Sequence, residues 1–191
     1  MSIFITHGNR LIDFANAKNS DIHIDDIIHH LSMIPRFAGK LDVHYTVLDH
    51  SVYVGMIAKS FLGADDMTAY AALMHDAQEA YLGDLPTPLK NLLPGYRAIE
   101  HAFELAIQDR FCIKMTPKIK RLVKMADLLA LKAEKKAFIS TLSEHEKHWA
   151  YLNGFDDIPL SPKAYKEDSK DTFKRAFIYY NRSLNLGLDE A

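Results

Sequence analysis

The sequence predicts an all-α fold: a single helical domain carrying a short β-hairpin at its N-terminus. Apolar residues recur at helical spacing along most of the chain. The segments so marked open on Asp, Thr-Pro or Ser-Pro and close on Gly or Pro. The length of 191 residues suits one sizeable core, and no repeat, low-complexity tract or linker divides it.

Residues 2–14, SIFITHGNRLIDF, hold two β-prone runs around His7-Gly8-Asn9, a hairpin pattern short enough to lie as decoration on a helical body. Asp21 to Asp26 supply helix-start chemistry. Ile24, Ile27, Ile28 and Leu31 then keep helical spacing until Pro35 stops or bends the chain, leaving Arg36-Phe37 at the exit. After the Gly39-Lys40 turn, VLDHSVYVGMIAKSFL from Val47 makes a second apolar helix closed by Gly63. Asp65-Asp66 open a third, expected to run through His75, Asp76 and Glu79 and to end at Gly83-Asp84, ahead of Pro86 and Pro88. Residues 96–112 form an amphipathic helix. Thr116-Pro117 start another, KIKRLVKMADLLALKAEKKAFIS, with Pro at the first helical position. Asn153-Gly154 and Asp156-Asp157 mark a loop in a less regular segment, and Ser161-Pro162 begin a final helix to about Ser183.

A net charge of −2 without a long basic block does not indicate a nucleic-acid surface. No apolar stretch approaches a membrane span, and MSIFITHGNR lacks the layout of a signal peptide. The single cysteine, Cys112, excludes an internal disulfide and a cysteine-based zinc site. A cytoplasmic protein is expected.

Ionisable residues inside apolar helical runs require an explanation, because burying an unpaired charge is costly. In AYAALMHDAQEAYLGDLPTPLK, His75 and Asp76 stand roughly 100° apart around a helix axis, close enough to reach one ion. Glu79 would share a face with both. His50, in VLDHSVYVGMI, and Asp127, in RLVKMADLLAL, meet the same criterion on helices of their own. Two imidazoles and two carboxylates make a donor set suited to Mn, Fe, Co, Ni or Zn and less to Ca. Such a set leaves coordination positions for water and substrate. A half-exposed helix face would account for an adjacent His-Asp pair alone, but not for four such residues on three apolar helices. Of the other histidines, His44 sits in a turn from which it could reach a second metal or a substrate. His29 and His30 share the first helix, at least one facing solvent, while His101, His145 and His148 read as surface. Trp149 and Tyr151 read as C-terminal packing rather than a base-stacking platform.

The order H…HD…D resembles the HD-domain metal-dependent phosphohydrolases. LSMIPRFAG before the first His, DHSV around it, HDAQEAYLGDLPTPLK and VKMAD narrow the resemblance to the small 5′-deoxynucleotidases and to the dATP-specific phage triphosphohydrolases similar to them. The similarity covers about residues 22–135. It implies an HD-type bundle over 1–191, with a core at about 22–135 and a C-terminal helical extension at 136–191. It implies that His50, His75, Asp76 and Asp127 hold a divalent transition-metal ion (Co, Mn, Zn, Fe or Ni). Glu79 would be a general acid/base or would position the attacking water, and Asp84 would help at the sugar or reacting phosphate. Arg36 and Lys90 match basic residues of the family's nucleotide site. Phe37 stands where the nucleotidases often carry Trp, which leaves sugar or base discrimination open. A homo-oligomer, dimer or larger, is expected.

Phosphoester hydrolysis needs a polarised phosphorus, an activated water and charge neutralisation. A metal can supply the first two; Arg36, Lys90 and Lys124 could supply the third, Lys124 lying three residues before Asp127 on one helix face. Three cations exceed the need of one phosphate, so a deoxynucleoside triphosphate is favoured, cleaved to nucleoside and triphosphate, with dATP the candidate by resemblance. The alternative is a 5′-deoxynucleotidase releasing phosphate from a dNMP, with Lys90 and Lys124 as solvated surface lysines. A third reading, a nucleotide-binding HD module without catalysis, is disfavoured by the intact metal set and by Glu79.

Overall fold

Helix α2 (Val47–Met56) is the axis around which the other helices gather, and every residue from Val47 to Gly55 is buried. A helix apolar all round belongs inside a core, so the polar exceptions Asp49, His50 and Ser51 must be satisfied within the protein. Asp49 is used at once: Thr46 Oγ1 accepts from the Asp49 amide at 3.2 Å and Asp49 Oδ2 accepts from the Thr46 amide at 2.7 Å, a reciprocal cap. The structure is a computed structural model, and it describes residues 2–139, 143–162 and 168–188.

Beyond Met56 the ladder widens into a π turn over Ile57–Phe61, where the Leu62 amide reaches back to the Ile57 carbonyl at 3.0 Å. Helix α3 (Asp66–Leu73), capped by the Asp65 side chain, lies close against α2. A Cβ on Gly55 would come within 3.3 Å of the Leu73 Cβ, a contact tight enough that Leu73 would have to shift by a few tenths of an ångström. Helix α7 (Pro117–Phe138) packs on both, presenting Ile119, Val123, Ala126 and Ala130. Helix α8 (Ser169–Ser183) closes the far side with Phe173, Phe177 and Tyr180. The shorter α4 (Glu79–Leu82) rests on α1 (Ile24–Leu31), and α5 (Thr87–Lys90) on α6 (Pro94–Arg110). An all-α bundle with an N-terminal hairpin is therefore the architecture, and among the described residues no helix is long and apolar enough to cross a membrane.

Several boundaries differ from the expectation. α1 ends at Leu31 rather than running to Pro35. α8 starts at Ser169, and Ser161 and Pro162 lie outside it, while residues 163–167 fall outside the described set. The predicted irregular stretch holds a 3₁₀ segment over Ser143–Leu152.

The hairpin pairs β1 (Ile3–Ile5) with β2 (Leu11–Asp13) in antiparallel register, Phe4 opposite Ile12, and only Ile12 of these six is buried. So little apolar burial cannot hold a two-stranded ribbon in place. Asp26 does. It lies fully buried in the first turn of α1 and accepts hydrogen bonds from Thr6 Oγ1 (2.9 Å), the Gly8 amide (2.7 Å) and Arg10 Nη1 (2.9 Å). A Cβ on Gly8 would sit 2.9 Å from Asp26 Oδ1, so glycine permits the close approach. Burial pushes the Asp26 carboxyl up, but the bonds from Gly8, Thr6 and Arg10 outweigh it and leave the group below its usual range.

Asp26→Ala should therefore destabilise the protein by about 2 kcal/mol, since it leaves the Thr6 hydroxyl and the Gly8 amide without their acceptor and takes the partner from the partly exposed Arg10. A depressed carboxylate stabilises the fold above its unfolded value, near ~3.9, and ceases to do so as pH falls through its folded value. Urea melts should show a constant gap between wild type and variant from about pH 7 to pH 5, narrowing below about pH 4.

Candidate metal centre

His75 and Asp76 do not stand mid-helix. α3 ends at Leu73, Met74 adopts φ −96° and ψ 4°, and the Ala77, Glu79 and Ala80 amides each bond back three residues, at 3.1, 3.0 and 3.2 Å. The winding is tighter than an α-helix through the whole HD turn. A local competition accounts for the break: His75 Nδ1 bonds the Ala72 carbonyl at 2.8 Å, the acceptor that an unbroken helix would give to the Asp76 amide. The α-helical alignment of His75 with Glu79 does not apply across the turn, whereas Asp76 and Glu79, three residues apart in the tighter winding, stay close enough to interact.

The turn nevertheless brings the expected donors together. His50 comes from α2, His75 and Asp76 from the turn, and Asp127 from α7. His50 Nε2 lies 3.6 Å from Asp76 Oδ2 and 3.4 Å from Asp127 Oδ1, and His75 Nε2 lies 3.1 and 4.0 Å from the same two oxygens. One donor atom each from His50, His75 and Asp76 fall within 4.8 Å of one another, with Asp127 at the edge of that group. Donors bound at ~2.1 Å to one ion stand ~3 to ~4.2 Å apart, which matches these spacings.

The imidazoles are set up as ligands. His50 Nδ1 faces Glu134 Oε1 at 2.6 Å and His75 Nδ1 faces the Ala72 carbonyl, and a carboxylate or a carbonyl can only accept. Both Nδ1 atoms therefore carry the proton, which directs the two Nε2 atoms inward. Those two nitrogens are buried and have no hydrogen-bond partner among the described residues. An unpaired buried polar atom is expensive, and a divalent cation between His50, His75, Asp76 and Asp127 would satisfy both. The field favours a cation too. Burial alone would raise Asp76 and Asp127, yet the neighbouring His75 and His50 hold both carboxyls well below the usual range. Burial and Arg36 push the His50 imidazole down, but Glu134 and Asp127 outweigh them and lift it to about 9.

Glu134 was missing from the sequence reading. It is fully buried and accepts from His50 Nδ1, from the Tyr45 hydroxyl at 2.8 Å and from Arg36 Nη2 at 2.9 Å. KAEKKAF looks like a solvated run, but Glu134 continues the buried stripe Ile119, Val123, Ala126, Ala130 and lies two turns beyond Asp127. The periodicity that exposed Asp127 would have exposed Glu134 as well. Glu100, also unforeseen and largely buried, accepts from Lys90 Nζ at 2.6 Å.

The remaining candidates gather nearby, in pairs. Arg36 Nη1 is 3.9 Å from Asp76 Oδ2. Phe37, whose ring lies 5.2 Å from the Arg36 guanidinium, and Ala38 both adopt left-handed backbone (φ 56° and 52°), a strained pair leading into Gly39. Glu79 is buried; its Oε1 accepts from Lys90 Nζ at 3.2 Å and its Oε2 has no partner among the described residues. Burial, Asp76 and Asp84 raise the Glu79 pKa well above the usual range despite Lys90 and Arg36. Asp84, half-buried, is raised by burial and Asp76 against the pull of Arg36 and Lys90. Lys124 is 65% exposed and bonds Asp127 Oδ2 at 2.8 Å. Arg36, Lys90 and Lys124, the three cations expected to neutralise phosphate charge, each face a carboxylate.

Outside the cluster, His44 is exposed in a polar cleft with Thr46 and Asp49 and is not among the converging donors. His29 and His30 are both half-buried: His29 stacks on His7, and His30 accepts from the His7 amide while facing the Ala80 carbonyl. His101, His145 and His148 are exposed, as expected. Trp149 lies under Lys135, but Tyr151 is 56% exposed and so is not packing as expected.

Residues 24–176 match the model of a family described as 5′-deoxynucleotidase YfbR-like, a span that holds every residue of the cluster. The uncharacterized protein YfdR of Escherichia coli K12 is 34% identical over 168 residues, which cover 85% of this chain and 88% of YfdR. An uncharacterized protein of Rhodobacter capsulatus is 34% identical over 133 residues, 66% of this chain and 68% of its own length.

Proposed function

The chain belongs to the YfbR-like family of HD-domain 5′-deoxynucleotidases, and on that premise we propose that it is a metal-dependent phosphohydrolase releasing inorganic phosphate from 2′-deoxynucleoside 5′-monophosphates. The observation that carries the metal is the pair of buried, unpartnered imidazole nitrogens facing two carboxylates. His50, His75, Asp76 and Asp127 would hold a divalent transition-metal ion, which when bound supplies Lewis-acid polarisation of the phosphate and lowers the pKa of water.

The chain's own groups divide the rest of the work. Arg36 binds a phosphate oxygen, since among the described residues its Nε is buried without a partner and one of its terminal nitrogens is committed to Glu134. Water attacks phosphorus, the bond to the 5′-oxygen breaks, and that oxygen needs a proton. Glu79 is suited to give it, because burial beside Asp76 and Asp84 keeps its carboxyl protonated beyond the usual range. Lys90, held between Glu79 and Glu100, fixes the Glu79 side chain. Asp84 orients water or sugar at the other edge. Phe37 supplies an apolar wall near the sugar, where a 2′-hydroxyl would lose its partners.

Charge balance favours the monophosphate over the triphosphate that the count of cations had suggested. With Arg36 against Glu134, Lys90 against Glu79 and Glu100, and Lys124 against Asp127, little positive charge is left uncompensated for a polyphosphate tail.

Purified protein supplied with Co or Mn should release inorganic phosphate from dNMPs, and chelation should stop it. Inorganic triphosphate appearing from dNTPs would restore the earlier reading. Glu79→Gln should lower kcat by about 10²–10⁴-fold while bound metal, measured by elemental analysis, stays at the wild-type level; an unchanged kcat would reject its role in proton transfer.

A further inference from the structure

Resting on that reading of the site, we propose that Glu134 is its positioning residue: one buried carboxylate that orients both the metal ligand His50 and the phosphate-binding Arg36. Oε1 accepts hydrogen bonds from His50 Nδ1 at 2.6 Å and from the Tyr45 hydroxyl at 2.8 Å, and Oε2 accepts from Arg36 Nη2 at 2.9 Å. Glu134, His50 and Tyr45 are out of solvent, and the Arg36 side chain is 11% exposed. Pinning Nδ1 leaves the His50 ring no freedom to turn its other nitrogen away from Asp76 and Asp127. Pinning one terminal nitrogen of Arg36 leaves Nη1 and Nε without a close hydrogen bond among the described residues, with Nη1 at 3.9 Å from Asp76 Oδ2. The metal side and the phosphate side therefore take their geometry from the same group. Because Glu134 shares α7 with Asp127, two turns away, that helix also carries the last ligand. An outer carboxylate on a ligating histidine fixes its tautomer and direction, and its loss typically costs 10–100-fold in metal affinity.

A purely structural ion pair would look the same in the resting protein, so three variants are needed. Glu134→Gln keeps an acceptor for His50 and Tyr45 but turns an amide donor toward Arg36. Glu134→Ala removes both functions. Tyr45→Phe loosens the same buried network without touching the His50 or Arg36 bond. Co(II) titration calorimetry on chelator-treated protein, thermal melts and dNMP kinetics should be run on each. Glu134→Ala should weaken Co(II) binding by about 10–100-fold and raise KM. Glu134→Gln should hold Co(II) affinity within a few-fold of wild type yet still raise KM. Tyr45→Phe should lower Tm and leave Co(II) affinity unchanged. Wild-type Co(II) affinity in Glu134→Ala, or equal losses in Glu134→Ala and Tyr45→Phe, would overturn the positioning role alone. Failure of the wild type to bind Co(II) would overturn the reading of the site beneath it.

Discussion

The Glu134 carboxylate is the constraint on which the site depends. Buried without partners, such a charge would shift its pKa or unfold its surroundings. Here it has three donors, and each belongs to a different part of the chain: Arg36 to the strained turn after α1, Tyr45 to the approach to α2, and His50 to α2 itself. Burial pushes Glu134 up, but Arg36 and His50 outweigh it and keep the group ionised. Removing one partner from a buried pair of this kind costs about 3–5 kcal/mol, so the network resists loosening once formed. That stiffness matters, because electrostatic sites work through donors already in place before the substrate arrives.

Much of this could be read from residue types. The bundle and hairpin follow from apolar spacing and turn chemistry, and His50, His75, Asp76 and Asp127 were found by asking which ionisable residues interrupt apolar helices. Glu134 obeys the same rule but is hidden in the sequence by the lysines on either side, which make KAEKKAF read as a solvated run. The break at the HD turn was not legible, because it arises from His75 Nδ1 taking a backbone carbonyl. Asp26 stands in the first turn of α1, as the helix-start pattern expects, but its bonds to a hairpin sixteen to twenty residues earlier are not legible in that pattern. Counting lysines and arginines suggested a polyphosphate, since sequence shows charges and not the carboxylates they are paired with.

The turn after Arg36 shows where the fold accepts strain. Phe37 and Ala38 in left-handed backbone cost about 1–2 kcal/mol each, and such strain persists where surrounding contacts over-determine it. Arg36 is held on one side by Glu134, and the Arg36 amide bonds the Tyr45 carbonyl at 2.9 Å. Both anchors of the turn therefore converge on the buried network around Glu134. Phe37 follows directly on Arg36, whose guanidinium lies 5.2 Å from its ring and bonds the same carboxylate as His50.

Anomalous diffraction from crystals of the protein loaded with Co(II), collected on both sides of the cobalt edge, tests the central claim most directly. A single strong peak bounded by His50 Nε2, His75 Nε2, Asp76 and Asp127, with His50 Nδ1 still on Glu134, is the predicted result. A peak elsewhere, or a cobalt held without His50, would contradict it.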